Sequence, residues 1–149
     1  MTVATRTLKD TKLSTGGGAQ GGLVTVMATM NDNTTANTLI LDADGLAGHA
    51  NGAKLSINRA WWALIQGTAD DNTGWVGIEF KGADADTVAI NFAGTGHYDG
   101  TAGKIENNAT NTTETSGDIE LSAYGVSGYV ILELRKESGF TAYLLWQLR

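Results

Sequence analysis

Hydrophobic and polar residues alternate along much of the chain with a period of two, the pattern of half-buried β-strands. Stretches rich in Gly, Asn, Asp and Thr separate the alternating segments. No segment carries an apolar stripe with a period of 3.6 residues, so little helix is expected. We predict strands over residues 23–30, 38–41, 55–66, 74–80, 87–92, around 97–98, and over 118–123, 126–136 and 140–149.

Short strands punctuated by turn signals predict an all-β fold, an antiparallel β-sandwich or jelly-roll-like barrel of about 8–9 strands. Residues 1–22 end in a Gly-rich stretch and are predicted to form an N-terminal arm and joint. Residues 23–149 then form a single β-sandwich domain. Within the arm, Val3, Thr5 and Thr7 alternate and are candidates for an edge strand that contacts a partner.

A hairpin is predicted at the C-terminus because residues 137–139 have the turn sequence Glu-Ser-Gly. A three-residue loop with glycine last fits a type I turn followed by a glycine bulge. The resulting register pairs Leu134 with Ala142, Leu132 with Leu144, and Val130 with Trp146.

Several large apolar side chains fall on the predicted outer faces of strands. In the strand over 55–66, alternation places Trp61 in the core and Trp62 and Leu64 outside. An apolar outer face marks a partner surface, or it is buried under further strands of the same chain. The interface candidates on outer faces are Trp62, Leu64, Trp75, Tyr129, Ile131, Tyr143 and Leu145.

Composition narrows the class of protein. The 149 residues suit one domain, and the absence of cysteine excludes disulfides and thiolate metal sites. A net charge of −6 disfavours a nucleic-acid partner. No apolar run approaches the roughly 20 residues of a membrane span, and the N-terminus has no signal-peptide core. We therefore expect synthesis in a cytoplasm.

The sequence shows no convergent catalytic groups, so we expect a protein that is not an enzyme. The two histidines, His49 and His97, lie in glycine-rich contexts and are expected to be exposed in loops. No Gly-x-Ser-x-Gly elbow is present. Asp42 with Asp44, and Asp70 with Asp71, resemble parts of calcium loops, but polar turns are favoured for both pairs and no cofactor is expected.

With its N-terminal extension and its Gly-, Thr-, Ala- and Asn-rich β-domain, the chain resembles the small decoration (cement) proteins and other virion structural proteins of tailed bacteriophages. The resemblance implies binding to the outside of a phage shell, where such a protein bridges neighbouring capsomers. It implies the major capsid protein or another virion protein as partner, homo-oligomers with a trimer favoured, and location in the virion. The arm would be the tether, and its deletion would leave a folded domain that no longer assembles.

The alternative hypothesis is a carbohydrate- or receptor-binding module of the tail-fibre or lectin type. An exposed Trp62 or Trp75 could stack on a sugar ring, with hydrogen bonds from Asn and Asp of residues 68–74. The position of the two tryptophans, in a groove or in a protein contact, separates the hypotheses.

Overall fold

The computed structural model describes residues 3–11, 22–48, 54–67, 74–82, 85–109, 117–137 and 140. Within these ranges the chain is almost entirely β, with one short 3-10 turn at Ala43–Gly45. The strands are β1 (Ala4–Asp10), β2 (Leu23–Leu41), β3 (Leu55–Gln66), β4 (Trp75–Phe80), β5 (Thr87–Ala93), β6 (Thr95–Tyr98) and β7 (Ile119–Lys136).

The seven strands form one antiparallel sheet in the order β1-β2-β7-β3-β6, with β4 paired to both β7 and β5. The predicted all-β class is therefore confirmed. The sheet is not closed on itself, which favours the sandwich over the barrel. Among the described residues, no helix is long and apolar enough to cross a membrane.

The described residues form seven strands, whereas about 8–9 were predicted. The difference arises at β2 and β7, each of which is one long strand where two were predicted. The break predicted between the strands over 23–30 and 38–41 is wrong, because residues 31–37 belong to β2. Asp32 and Asn37 have φ values of 51°, a conformation that Asp and Asn tolerate better than most residues, and the β2–β7 register shifts near both. Gly125, with φ 55°, lies inside β7 in the same way. Asp32, Asn37 and Gly125 therefore mark bulges within continuous strands.

β3 and β4 lie end to end along one edge of β7. Gln66 pairs with Val126, and Trp75 pairs with Tyr124, so both strands run in the same direction beside β7. The Gly67 N–H donates to Gly125 O, and the Gly74 N–H donates to Tyr124 O. β3 therefore ends and β4 begins at neighbouring positions along β7.

This arrangement divides the sheet into two halves that share β2 and β7. The β3 half contains β1, β3, β6 and the segments 23–30 and 126–136. The β4 half contains β4, β5 and the segments 34–41 and 119–124. Each half has a core side, lined by the buried apolar residues, and an opposite side that we call the outer face.

A bulge in β3 reverses the faces predicted for its tryptophans. Asn58 has no partner in the β3–β7 register, which shifts between Ile57 and Arg59. Because side chains alternate, one extra residue moves every later side chain to the other face. The predicted outward orientation of Trp62 and Leu64 is wrong: Leu64 is 3% exposed, and Trp62 packs against the core and stacks on Phe92.

The predicted C-terminal hairpin is also wrong in its pairing. Residues 130–136 of β7 pair with β2 on one edge and with β3 on the other. Leu134, for example, lies opposite both Val24 and Ile57. Both edges of this segment are therefore occupied, and residues 141–149 lie outside the described part of the chain. The core face predicted for Val130, Leu132 and Leu134 is nevertheless confirmed, since all three are buried.

A buried lysine fastens the N-terminal strand to the sheet. The Lys136 side chain is 0% exposed, and its ammonium donates to Asp10 Oδ1 at 2.5 Å, Ala47 O at 2.7 Å and Thr11 O at 2.9 Å. Three acceptors match the three donors of an ammonium group. β1 pairs with β2 from Ala4 to Asp10, which confirms the predicted edge strand of the arm. That residues 1–22 are separable from the domain stays a prediction.

Candidate functional site on the outer face

An apolar band crosses the outer face of the β3 half. The register aligns Met27 of β2, Ile131 of β7 and Trp61 of β3 side by side. All three are half-buried, because neighbours on a sheet shield one another, and no described strand packs across them. Tyr129 and Ala63 continue the apolar surface in the next row.

Basic side chains surround this band. Arg6 lies opposite Met27, Lys9 opposite Thr25, and both are exposed on the edge strand β1. Arg59 and Arg135 complete the set on β3 and β7, where Arg135 Nε is buried without a hydrogen-bond partner. The one carboxylate among them is Glu133, which accepts from Asn58 Nδ2 at 2.7 Å and lies 3.7 Å from Arg59 Nε. This part of the surface is positive on a chain whose net charge is −6.

The interface candidates from the sequence are distributed over several environments. Tyr129 and Ile131 lie on the outer face as predicted, and Thr5 and Thr7 are exposed on β1. Val3 is buried at 9% exposure and so offers little to a partner. Tyr143 and Leu145 lie outside the described residues.

Carboxylates collect on the outer face of the β4 half. Glu79 and Glu120 lie directly opposite each other on β4 and β7, with Asp86 close by. Burial, a hydrogen bond with Asp86 and repulsion from Asp86 and Glu79 raise the pKa of Glu120 to about 7, although Lys81 Nζ is 3.9 Å away. Burial also raises the pKa of Glu79, opposed by a 2.9 Å hydrogen bond from Ser122 Oγ. Glu79 Oε2 and Glu120 Oε1 are buried without hydrogen-bond partners.

The acidic surface continues to the neighbouring end of the sheet. Asp118 is buried and accepts a 2.8 Å hydrogen bond from the Ala43 N–H. Burial and the nearby Asp42 and Asp44 raise the pKa of Asp118. Asp42 Oδ1 accepts from the Asp44 N–H at 2.9 Å, which is the capped polar turn favoured from the sequence.

No group of three or more His, Asp or Glu in the described ranges is arranged to hold a metal ion. Asp70 and Asp71 lie outside those ranges. His49 does too, whereas His97 is exposed on β6 opposite Trp61, so its predicted exposure is confirmed but it lies in a strand and not in a loop.

An aromatic pair lies between the two charged regions. Trp75 and Tyr124 are directly opposite and stacked, with ring centroids 3.9 Å apart and an interplanar angle of 15°. Gly77 follows on the same face of β4; a Cβ there would lie 3.0 Å from Asn91 Oδ1 and 3.7 Å from Trp75. The absence of a side chain at Gly77 lets the amide of Asn91, the ring of Trp75 and the carboxylate of Glu79 lie close together.

Sequence reasoning missed Met27, Trp61 and the basic residues of the outer face. Met27 alternates regularly within 23–30, so its outward orientation could have been derived. Trp61 could not, because the bulge at Asn58 carries no distinctive sequence signal. The clustering of Arg6, Lys9 and Arg59 depends on which strands pair, which a local pattern does not contain.

Comparison with known proteins adds no family: no protein-family model matches the chain, and no curated protein or solved structure shows significant similarity to it.

Proposed function

We propose that the protein is a structural virion protein that acts by binding other proteins, in the manner of a bacteriophage capsid decoration protein. The observation that supports the proposal is the outer face of the β3 half. There, Met27, Ile131 and Trp61 form a continuous apolar band across three strands, bordered by basic side chains. Large aromatic and arginine side chains together are the composition typical of interface hot spots.

The proposed role needs no reaction chemistry. A decoration protein adds stability to a shell by burying surface against several subunits at once, and multivalent attachment raises its effective affinity. In this proposal the outer face contacts the major capsid protein or another virion protein. The exposed Thr5 and Thr7 extend the contact surface along β1.

The test is co-sedimentation of the purified chain with empty capsids of the phage that encodes it. We expect Trp61→Ser to weaken capsid binding by about tenfold or more, because a central tryptophan contributes at least about 1–2 kcal/mol in such interfaces. The matched control is Val88→Ser, which removes an apolar side chain of β5 that is 62% exposed. Circular dichroism of both variants checks that the fold is retained.

Wild-type protein that stays in the supernatant, or equal binding by the Trp61 variant and wild type, would overturn the proposal. Equal loss of binding in both variants would also count against it, since the effect would then not belong to the outer face of the β3 half.

A second candidate, glycan binding, is favoured by the aromatic pair. Trp75 has one ring face covered by Tyr124, and the amide of Asn91 and the carboxylate of Glu79 lie close to it around Gly77. Aromatic stacking next to an amide and a carboxylate is a common way to bind a sugar ring. Glycan-array binding that is lost in Trp75→Ala but kept in Trp61→Ala would support this candidate, and a blank array would remove it.

A further inference from the structure

β1 is the only described strand in which every residue is exposed. From Ala4 to Asp10, neither face of the strand is buried against the core, whereas each of the other strands contains buried or half-buried residues. Within the described ranges, β1 pairs with β2 and with no other strand, so its second edge is open. Strands in an antiparallel pair bond through alternate residues, and the remaining backbone N–H and C=O groups of β1 therefore point away from β2.

This exposed strand is already held in position at both ends. Val3, just before it, is 9% exposed, and the Thr11 N–H, just after it, donates to Leu23 O at 2.9 Å. Asp10 is paired with the buried ammonium of Lys136. An added strand would find the edge of β1 preformed, which lowers the entropic cost of pairing with it.

The one carboxylate of β1 is used within the subunit. Asp10 Oδ1 accepts from Lys136 Nζ at 2.5 Å, and Asp10 Oδ2 accepts from the Ala47 N–H at 2.7 Å. Asp10 lies opposite Val24, which is fully buried, so these bonds lie on the core side of the sheet. They fasten the turn around Ala47 to β1 on that side, and Lys136 balances the charge of the carboxylate.

The two cations of β1 lie on the outer face. Arg6 is opposite Met27 and Lys9 is opposite Thr25, positions that alternate with buried residues of β2. Neither cation forms an ion pair with a described residue. A groove of about 160 Å³ lies beside Arg6 between β1 and β2, a volume that suffices for one side chain of an added strand. Acidic side chains on such a strand would therefore meet uncompensated positive charge.

We propose that the open edge of β1 binds an extended acidic segment of a partner protein, which joins the sheet as an additional strand. Backbone hydrogen bonds to β1 supply the affinity, and Arg6 and Lys9 select for acidic side chains. Leu8, which is 49% exposed at the bulge in β1, adds an apolar contact. A second copy of β1 is a poor occupant, because two such strands would bring their unpaired cations together. The inference rests on the proposed function and deepens it, since it names the kind of segment that the virion partner supplies.

The test measures the binding of three short synthetic peptides of equal length to the full chain, by calorimetry at low salt. The first alternates glutamate with valine, the second lysine with valine, and the third glutamate with proline. Proline cannot donate a backbone hydrogen bond, so the third peptide keeps the charge and loses the ability to pair as a strand. We expect the first peptide to bind at least about tenfold more tightly than either of the others. No binding of the first peptide, or equally tight binding of either control, would overturn the inference.

Amide hydrogen exchange followed by NMR shows where the peptide lies. In the free protein, alternate amides of β1 should exchange rapidly, because only those that face β2 are hydrogen-bonded. Binding of the glutamate–valine peptide should slow the exchange of these remaining amides. Unchanged exchange in β1 with the peptide bound would contradict strand addition.

A variant that removes charge tests the role of the two cations. We expect Arg6→Gln/Lys9→Gln to bind the glutamate–valine peptide about fivefold or more weakly than wild type. The matched control is Lys81→Gln/Lys104→Gln, which also removes two positive charges but none from β1, and it should bind like wild type. Equal losses in both variants would count against the inference, because net charge and not β1 would then attract the peptide.

Capsid binding is measured separately, so the two proposals can fail independently. Peptide binding to β1 without capsid binding contradicts only the proposed virion role. Capsid binding by a protein that does not bind the glutamate–valine peptide contradicts only the strand addition.

Discussion

The two halves of the sheet share the strands β2 and β7 but use them differently. In the β3 half, β7 alternates between buried residues such as Leu132 and half-exposed ones such as Ile131, so one side faces the core and the other stays accessible. In the β4 half, Glu120 and Ser122 are buried together with Ile119 and Leu121. The accessible half carries the apolar band, whereas the other half encloses carboxylates. The bulge at Gly125 marks the change.

The difference indicates a division of roles. Burying Glu120 costs stability unless it keeps a proton, so the β4 half carries an electrostatic cost at this carboxylate. In the β3 half, Met27, Ile131 and Trp61 lie side by side and half-exposed, and a partner would cover this apolar row. Substitutions in the β3 half and in the β4 half should therefore differ in how they change stability and its dependence on pH.

The largest expected effect comes from Lys136 in the β3 half. Lys136→Met removes the ammonium that donates to Asp10 Oδ1 and to the carbonyls of Thr11 and Ala47. Breaking a buried ion pair at one partner costs about 3–5 kcal/mol. Urea unfolding should show a loss of this size.

The control for this change is Lys104→Met, which removes an ion pair to Glu137 whose lysine is 32% exposed. That pair should contribute less than about 1 kcal/mol. Equal effects of the two changes would mean that the buried cluster does not hold β1. Because Asp10 and Thr11 belong to the arm, removing residues 1–22 should destabilise the fold by a similar mechanism, contrary to the expectation from the sequence.

The second largest loss of stability is expected from a substitution at Gly128, near the boundary between the halves. Its φ is 129°, and an added Cβ would lie 2.0 Å from Ala63 O on the paired strand. We expect Gly128→Ala to lower the free energy of unfolding by about 2–4 kcal/mol through backbone strain and displacement of β3.

Gly103→Ala is the matched control, because Gly103 has a φ of 112° but nothing within 4 Å of an added Cβ. It should lose about 1–2 kcal/mol from strain alone. If thermal or urea unfolding gives the same loss of unfolding free energy at both positions, the close approach of β3 and β7 at Gly128 does not contribute to stability.

The smallest effect is a pH dependence in the β4 half. The pKa of Glu120, raised to about 7 from its ordinary value of 4.5, means that the folded protein holds this proton more tightly than the unfolded chain. The corresponding stability is complete below about pH 4.5 and is lost as the pH rises to about 7. With allowance for screening by solvent and Lys81, we expect a loss of about 2 kcal/mol between pH 5 and pH 8.

Glu120→Gln should flatten this profile and make the protein more stable than wild type at pH 8, since the amide stays neutral. Urea unfolding at both pH values provides the measurement. A variant that retains the wild-type slope would assign the pH dependence to other groups, with Glu79 and Asp118 as the next to replace.

Much of the strand content follows from alternation, but strand pairing does not. The bounds of β3 and β4 were predicted to within a residue, because Gly67 and Gly74 interrupt clear patterns. The sequence pattern predicts two strands in place of each of β2 and β7, because Asp32, Asn37 and Gly125 resemble loop residues. In the structure each of these residues lies at a bulge within a continuous strand. A bulge depends on the neighbouring strand, so its own sequence does not reveal it.

The errors in face assignment and in the C-terminal hairpin have the same origin. The register at residues 137–139 was locally consistent, yet residues 130–136 already have two partners that are distant in sequence. Non-local pairing overrides local turn chemistry whenever it buries more surface. The charged outer face could not be predicted for the same reason, since Arg6 and Arg59 become neighbours of one band only through β2 and β7.

The interruption between β3 and β4 is a position at which a foreign peptide could be inserted with little effect on the fold. A Cβ on Gly74 would lie 3.0 Å from the Gln66 Cα, so the two ends of the interruption already touch. Lengthening a closed loop costs only about 0.6 kcal/mol for each doubling of its length. An epitope inserted within residues 68–73 would therefore leave the register of β3 and β4 against β7 unchanged.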